Sequence, residues 1–182
     1  MNAIVKTVGK ELGESLSLEG EAATVGRVKL EMKLYDSIHF ACHANQNVES
    51  PLKSGFYLHD GRLELSEIMK QRIAHREFAF LAACQTSTGD EKLSEEAVHL
   101  AAGMLAVGYR GVVATMWSIK DKYGPVVAEG FYKYLTDKGA SGGSHGNGPA
   151  HALHHSIQGV RQALGDTEQG LLIWVPYVHF GY

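Results

Sequence analysis

Three short segments that are almost continuously apolar constrain the fold of this chain more than any other feature. They cover residues 37–42, 78–84 and 110–117, and helical apolar spacing occurs at 93–108 and 121–137. A strand that is apolar at nearly every position has both faces buried, which is typical of a parallel sheet covered by helices. The order of strands and helices therefore predicts an α/β fold, namely a three-layer α/β/α sandwich with a mostly parallel central sheet.

The segments on either side of these strands have recognisable patterns of their own. Residues 24–35 and 149–164 have helical spacing, and the second of these helices begins with a proline. Residues 55–65 predict a hairpin, because the Asp-Gly pair that begins at Asp60 favours a tight turn. Residues 171–182 predict a final strand, which a proline places at a sheet edge or a bulge.

The charge balance limits the classes of partner that this protein can bind, and the cysteine count bears on its cellular location. The chain has 17 Lys and Arg against 20 Asp and Glu and a net charge of −3, without a basic cluster. We therefore expect neither a nucleic acid nor a membrane as a partner. No apolar segment of secretory length stands at the N-terminus, and two cysteines do not make a disulfide framework, so a cytoplasmic location is expected.

The residues that follow the three buried strands carry the chemistry. His43 follows the first strand, Cys84 ends the second, and Trp117 ends the third. In open α/β sheets, ligands bind outside the carboxyl ends of the strands. Cys84 alone is equally compatible with a small buried side chain. Beside His43, however, a cysteine has the partner that thiol catalysis needs, since an imidazole raises the thiolate fraction and later protonates the leaving amine.

Metal binding is not favoured by the remaining histidines. His39 and His43 lie about 13 Å apart along a strand, too far for one ion, and His39 is expected in the core. His151 and His155 lie one helical turn apart, but no third ligand is indicated nearby. We expect no metal and no cofactor.

Longer motifs make the chain resemble a known family. The segments "SIHFACHANQN", "FAFLAACQTSTGD" and "EEAVHLAAGMLAVGYRGVVATMWSIKD" are similar to those of the CHAT domain, which belongs to the caspase-like cysteine peptidases related to separase. The resemblance implies that His43 is the acid/base and Cys84 the nucleophile. It also implies an oxyanion hole formed by the backbone N–H groups of Ala44 and Cys84. Many members have glycine where this chain has Ala44.

The resemblance implies a cysteine endopeptidase that cuts protein substrates in a signalling or regulatory context. The resemblance also implies a tetratricopeptide-repeat region as a partner in the full-length protein. Trp117 and Asp121 flank the end of the third strand, where they are either an aromatic anchor and a helix cap or part of the substrate cleft. An alternative is a peptidase-fold domain that no longer cuts and acts as a protein-interaction module. A flavodoxin-like ligand binder has the same layers, but no glycine-rich phosphate loop follows a strand here.

The domain organisation follows from the same motifs. Residues 21–182 are predicted to form the CHAT domain. Residues 1–20 contain no segment that we recognise as a strand, and we interpret them as the remnant of a larger chain, which would leave one edge of the sheet open. Residues 139–149 are rich in glycine and serine and predict a mobile surface loop.

Shortening the loop at 139–149 by several residues is expected to leave the fold and the solubility unchanged. Its composition cannot bury enough apolar area to offset the entropy of ordering it. Soluble yield and thermal unfolding of the shortened chain measure this, and a loss of soluble protein would show that the loop is structural.

Overall fold

Two sheets organise the fold, which we describe from a computed structural model. The structure describes residues 4–8, 15–45, 47, 49–71, 76–82, 96–117, 119, 122–139 and 148–181. The strands in chain order are β1 (Ile4–Val8), β2 (Ser15–Glu19), β3 (Ser37–Ala41), β4 (Ala44–Asn45), β5 (Gly55–Leu58), β6 (Gly61–Glu64), β7 (Phe78–Leu81), β8 (Gly111–Thr115) and β9 (Tyr177–Gly181). The main sheet has the order β2-β1-β3-β7-β8-β9, and β4, β5 and β6 form a small sheet.

The centre of the main sheet is parallel, as predicted. β3 pairs with β7 and β7 with β8 in parallel, whereas β1 and β9 run antiparallel to β3 and β8. Since β2 is antiparallel to β1, four of the six strands point in one direction. The carboxyl ends of β3, β7 and β8 therefore meet at one edge.

Helices cover both faces of this sheet. In chain order they are α1 (Val25–Glu31), α2 (Leu65–Met69), α3 (Glu96–Ala106), α4 (Gly124–Gly139), α5 (Pro149–Leu164) and α6 (Glu168–Trp174). Within the described ranges, none of them combines the length and the apolar character that crossing a membrane requires.

Strand β7 shows how the two helical layers are separated. Ala79 and Leu81 belong to the core cluster that contains residues of α1, α2 and α3, whereas Phe78 and Phe80 belong to the cluster with α4, α5 and α6. Successive side chains of a strand point to opposite faces, so a strand between two apolar layers must be apolar throughout. The predicted three-layer α/β/α sandwich is confirmed.

The N-terminal segment differs from the prediction. Residues 4–8 and 15–19 form β1 and β2, an antiparallel pair, and β1 pairs with β3 along its whole length. The expectation that residues 1–20 contain no strand was wrong, and β1 covers the edge of β3 that was expected to be open. The pattern was missed because β2, at the sheet edge, buries only one face: Leu18 is buried while Ser15, Ser17 and Glu19 are exposed.

The C-terminal segment also differs in part. Residues 171–174 were expected in a strand but complete α6, whose first turn is capped by Thr167, which accepts a hydrogen bond from the Gly170 N–H at 3.1 Å. β9 begins only after Pro176 and lies at the edge of the sheet, where the proline placed it. Aliphatic composition alone does not distinguish a short buried helix from a strand.

The predicted turn at Asp60 is confirmed and has a second role. The turn joins β5 to β6, and the Asp60 Oδ1 accepts a hydrogen bond from the Val25 N–H at 2.7 Å. The Thr24 Oγ1 accepts another from the Arg27 N–H at 3.2 Å. Two side chains from different parts of the chain thus satisfy free N–H groups at the start of α1.

The substitution Gly55→Ala is expected to lower the free energy of unfolding by about 1–3 kcal/mol, the usual cost of overpacking. A Cβ at Gly55 would overlap the backbone of Leu63 on the neighbouring strand, and a backbone atom of a paired strand cannot move aside. Denaturant unfolding measures the change. Gly26→Ala is the matched control, because a Cβ there meets no atom within 4 Å and should stabilise α1 by roughly 0.5–1 kcal/mol. Equal effects at both positions would contradict this account.

Candidate functional site

His43 lies where the main sheet meets the small sheet. It stands between β3 and β4, its side chain is half-buried, and its carbonyl oxygen accepts a hydrogen bond from the Tyr57 N–H at 2.8 Å. Its Nδ1 is buried and has no hydrogen-bond partner in the described part of the chain. The imidazole is therefore at the predicted edge of the sheet, with one shielded nitrogen unpaired.

The N–H of Ala44 is not used in the pairing of β4 with β5. It opens β4, opposite Phe56 of β5. Antiparallel positions alternate between hydrogen-bonded and non-hydrogen-bonded pairs. Because the Tyr57 N–H bonds to His43, the next pair, formed by Ala44 and Phe56, is the non-bonded one. The N–H of Ala44 thus points away from β5.

Cys84 and Asp121 lie outside the residues that the structure describes, so their predicted roles stay predictions. The ladder that leads towards Cys84 is described as far as Ala82, whose N–H donates to the Phe40 carbonyl at 2.9 Å. Three residues of β3 pair with β7, and each pairs with the residue 41 positions later, as Ile38 does with Ala79. His43 and Cys84 are also separated by 41 positions.

Trp117 lies at the same edge, directly beyond β8. Its Nε1–H donates to the Leu172 carbonyl of α6 at 3.0 Å, and its side chain is half-buried. This hydrogen bond links the end of β8 to the helix that precedes β9. Its predicted place in a substrate cleft stays a prediction.

The other cysteine, Cys42, has the properties of a packing residue. It is free, almost fully buried, and part of the apolar cluster on the α3 side of the sheet. Burial raises the pKa of its thiol to about 12, because a thiolate would lose its hydration there. Its thiol is therefore protonated at physiological pH and is not a nucleophile.

The remaining histidines contribute no metal centre in the described ranges, where no group of three or more metal-ligating side chains occurs. His39 is buried, with its ring 4.7 Å from that of Phe80 and 5.8 Å from that of Tyr132, which confirms its expected place in the core. His151 and His155 are exposed on α5.

Sequence reasoning missed the residues that support this edge. Ser54 is fully buried directly before β5, and its Oγ accepts a hydrogen bond from the Asn47 N–H at 3.0 Å. The stretch from Asn45 to Ser54 contains Asn, Ser and Pro, which indicates turns. That composition does not show which side chains close the loop.

Comparison with known proteins shows the family of this chain. The family model of the CHAT domain matches residues 2–182. The chain belongs to the CHAT domain family. It therefore has the fold of the caspase-like peptidases, and the matched range includes β1 and β2. A search of curated proteins finds no match.

The contrast between the two cysteines of this CHAT domain can be measured. Cys42 is expected to resist alkylation by iodoacetamide in the folded chain up to about pH 9, because with a pKa of about 12 only about one thiol in a thousand is ionised there. Labelling at Cys42 should appear only when the chain is unfolded in guanidinium chloride. Mass spectrometry of the peptide that contains Cys42 measures both states. Rapid labelling of folded Cys42 would refute the assignment as a packing residue.

Proposed function

We propose that this CHAT domain is a cysteine endopeptidase in which Cys84 is the nucleophile and His43 the acid/base. The observation that carries the proposal is the register of β3 and β7, in which paired residues are 41 positions apart. β3 ends at Ala41, two residues before His43, and β7 ends at Leu81, three residues before Cys84, so the shared offset of 41 residues supports a position of both side chains just beyond the same ends of neighbouring strands. Adjacent strands are about 4.8 Å apart, which is close enough for a thiol and an imidazole to exchange a proton.

The state of His43 supports the same role. Buried polar atoms usually have hydrogen-bond partners, and its Nδ1 has none among the described residues. An unpaired imidazole nitrogen at the end of a strand is able to accept the proton of a neighbouring thiol. A histidine kept only for structure would be expected to use this nitrogen in a hydrogen bond.

The reaction then proceeds in two stages. His43 takes the proton of the Cys84 thiol, and the thiolate sulfur attacks the carbonyl carbon of the scissile peptide bond. When the carbon–nitrogen bond breaks, His43 gives the proton to the leaving amine, and a thioester to Cys84 remains. His43 then takes a proton from a water molecule, whose oxygen attacks the thioester, and the thiol is restored with release of the carboxyl product.

The backbone N–H groups of Ala44 and Cys84 would stabilise the negative oxygen that forms in each stage. Many CHAT domains have glycine at the position of Ala44. Here that position lies in strand β4, an extended conformation that alanine adopts without strain. The alanine is therefore compatible with an oxyanion donor, since only its N–H is needed.

The substrate class that this mechanism supports is a protein or peptide segment. We propose further that Trp117 and Asp121 line the cleft, that the protein acts in the cytoplasm, and that a tetratricopeptide-repeat region in the full-length protein regulates the activity. The repeat region rests on the family resemblance, the cleft residues rest on their place beyond the third strand, and the location rests on the low number of cysteines.

A peptide-library cleavage assay tests the proposal. Wild-type chain should cut a subset of peptides, and Cys84→Ala should abolish cleavage. His43→Ala should reduce it by at least 10²-fold, the lower end of the contribution of general acid–base catalysis. The matched control is Cys42→Ala, which removes a thiol from the core and should retain activity while lowering the stability.

Alkylation provides the second arm of this test. Labelling of Cys84 by iodoacetamide should be faster than that of Cys42 below pH 7 and should slow in His43→Ala. Equal and slow labelling of both cysteines, with no cleavage of any peptide, would refute the peptidase and favour an interaction module with the peptidase fold.

A further inference from the structure

Two partly buried hydrogen bonds close the loop next to Ala44. The Ser54 Oγ accepts a hydrogen bond from the Asn47 N–H at 3.0 Å, and the Asn47 Oδ1 accepts one from the Ser50 N–H at 2.7 Å. Ser54 is fully buried, although serine is usually exposed. A buried hydroxyl that bonds across seven residues has a specific structural task.

The backbone of Ser54 is fixed as well. Its N–H donates to the Pro51 carbonyl at 3.0 Å, and its carbonyl accepts from the Leu65 N–H at the start of α2 at 2.8 Å. Three parts of the chain therefore meet at Ser54: the short turn at Pro51–Lys53, helix α2 and the loop that follows β4. The first residue of β5 comes directly after this fixed point.

Strand β4 depends on this fixed point more than an ordinary strand would. It contains two residues, lies at the edge of the small sheet, and is paired only with β5 among the described strands. Two residues supply few ladder hydrogen bonds, so the loop from β4 to β5 contributes much of what determines the direction of the Ala44 N–H. Asn47 and Ser54 are the side chains that hold this loop closed.

We propose that Ser54 and Asn47 are positioning residues that aim the Ala44 N–H into the oxyanion hole. The inference rests on the proposed peptidase function. Neither side chain needs to touch the substrate. Ser54 fixes the loop through its Oγ, Asn47 fixes it through its N–H and Oδ1, and the N–H of Ala44 stabilises the developing oxyanion.

The kinetic test compares Ser54→Ala, Asn47→Ala and Asn47→Asp in the full chain. Ser54→Ala and Asn47→Ala should lower kcat, by up to about 10²-fold for a displacement near 1 Å, while KM changes little. Asn47→Asp keeps the acceptor for the Ser50 N–H and should retain most of the activity. Alkylation of Cys84 by iodoacetamide should be unchanged in all three, because a displacement at carbon forms no oxyanion.

Amide hydrogen exchange provides a readout that does not depend on activity. In chain labelled with ¹⁵N-tyrosine, exchange at the Tyr57 N–H, whose hydrogen bond to the His43 carbonyl fixes the backbone beside Ala44, should accelerate at least several-fold in Ser54→Ala and Asn47→Ala and should stay near wild type in Asn47→Asp. The matched control is Ser17→Ala, which removes an exposed hydroxyl that bonds only to Glu19 in β2 and should change neither the exchange nor kcat.

The outcomes separate the two proposals. Faster exchange at the Tyr57 N–H with a fall in kcat and unchanged alkylation supports the positioning role. Unchanged exchange at the Tyr57 N–H in Asn47→Ala overturns it, whether or not the chain cuts peptides. An equal fall in kcat and alkylation also overturns it, because it would indicate general loss of structure. If the Ser54→Ala variant fails to fold, the Asn47→Ala variant alone decides whether the positioning role holds. If the wild-type chain neither cuts peptides nor shows rapid labelling of Cys84, the peptidase function is refuted, and with it the role of Ala44 as an oxyanion donor. The exchange data still decide whether the loop holds Ala44 in place.

Discussion

The parallel pairing of β3 with β7 is the constraint on which the rest of the structure depends. It is held at its lower end by the Glu77 N–H, which donates to the Asp36 carbonyl at 2.8 Å, and at its upper end by the bond from Ala82 to Phe40. Parallel strands need a crossover, and this one contains the small sheet, α2 and the segment that leads to β7. Everything between residues 42 and 77 must therefore return the chain to the starting edge of the sheet. In doing so it places β4 and His43 at the opposite edge.

A stacked aromatic pair joins the small sheet to these two strands. The rings of Phe40 in β3 and Phe56 in β5 are stacked with their centroids 4.0 Å apart, and both residues are fully buried. Such a pair contributes roughly 0.5–1.5 kcal/mol beyond the burial of its area. Since Phe56 is also the partner of Ala44, the contact couples the proposed oxyanion donor to β3, the strand that ends two residues before His43. The proposed peptidase site would be assembled from two sheets and would need such a coupling, because its groups would have to keep their distances through both stages of the reaction.

Much of this arrangement could be predicted from the sequence, and the exceptions have physical causes. Strands β3, β7 and β8 were predicted because strands buried on both faces are apolar throughout, and α5 because Pro149 marks its start. The strands β1 and β2 were missed because an edge strand with one buried face has a weak pattern over five residues. The position of His43 followed from the end of a strand. The roles of Asn47 and Ser54 could not be predicted, because they depend on how an irregular loop closes in space.

The cap that Asp60 places on α1 has a consequence for the order in which the chain acquires structure. α1 has only seven residues, and an isolated helix of that length is marginal in water. One of its first N–H groups is satisfied by a carboxylate 35 residues further along the chain. During synthesis, α1 leaves the ribosome well before Asp60 does. The helix can therefore form only transiently on the nascent chain and becomes permanent when the hairpin that carries Asp60 emerges and docks, so the first helix of this domain is completed by a segment that is translated later.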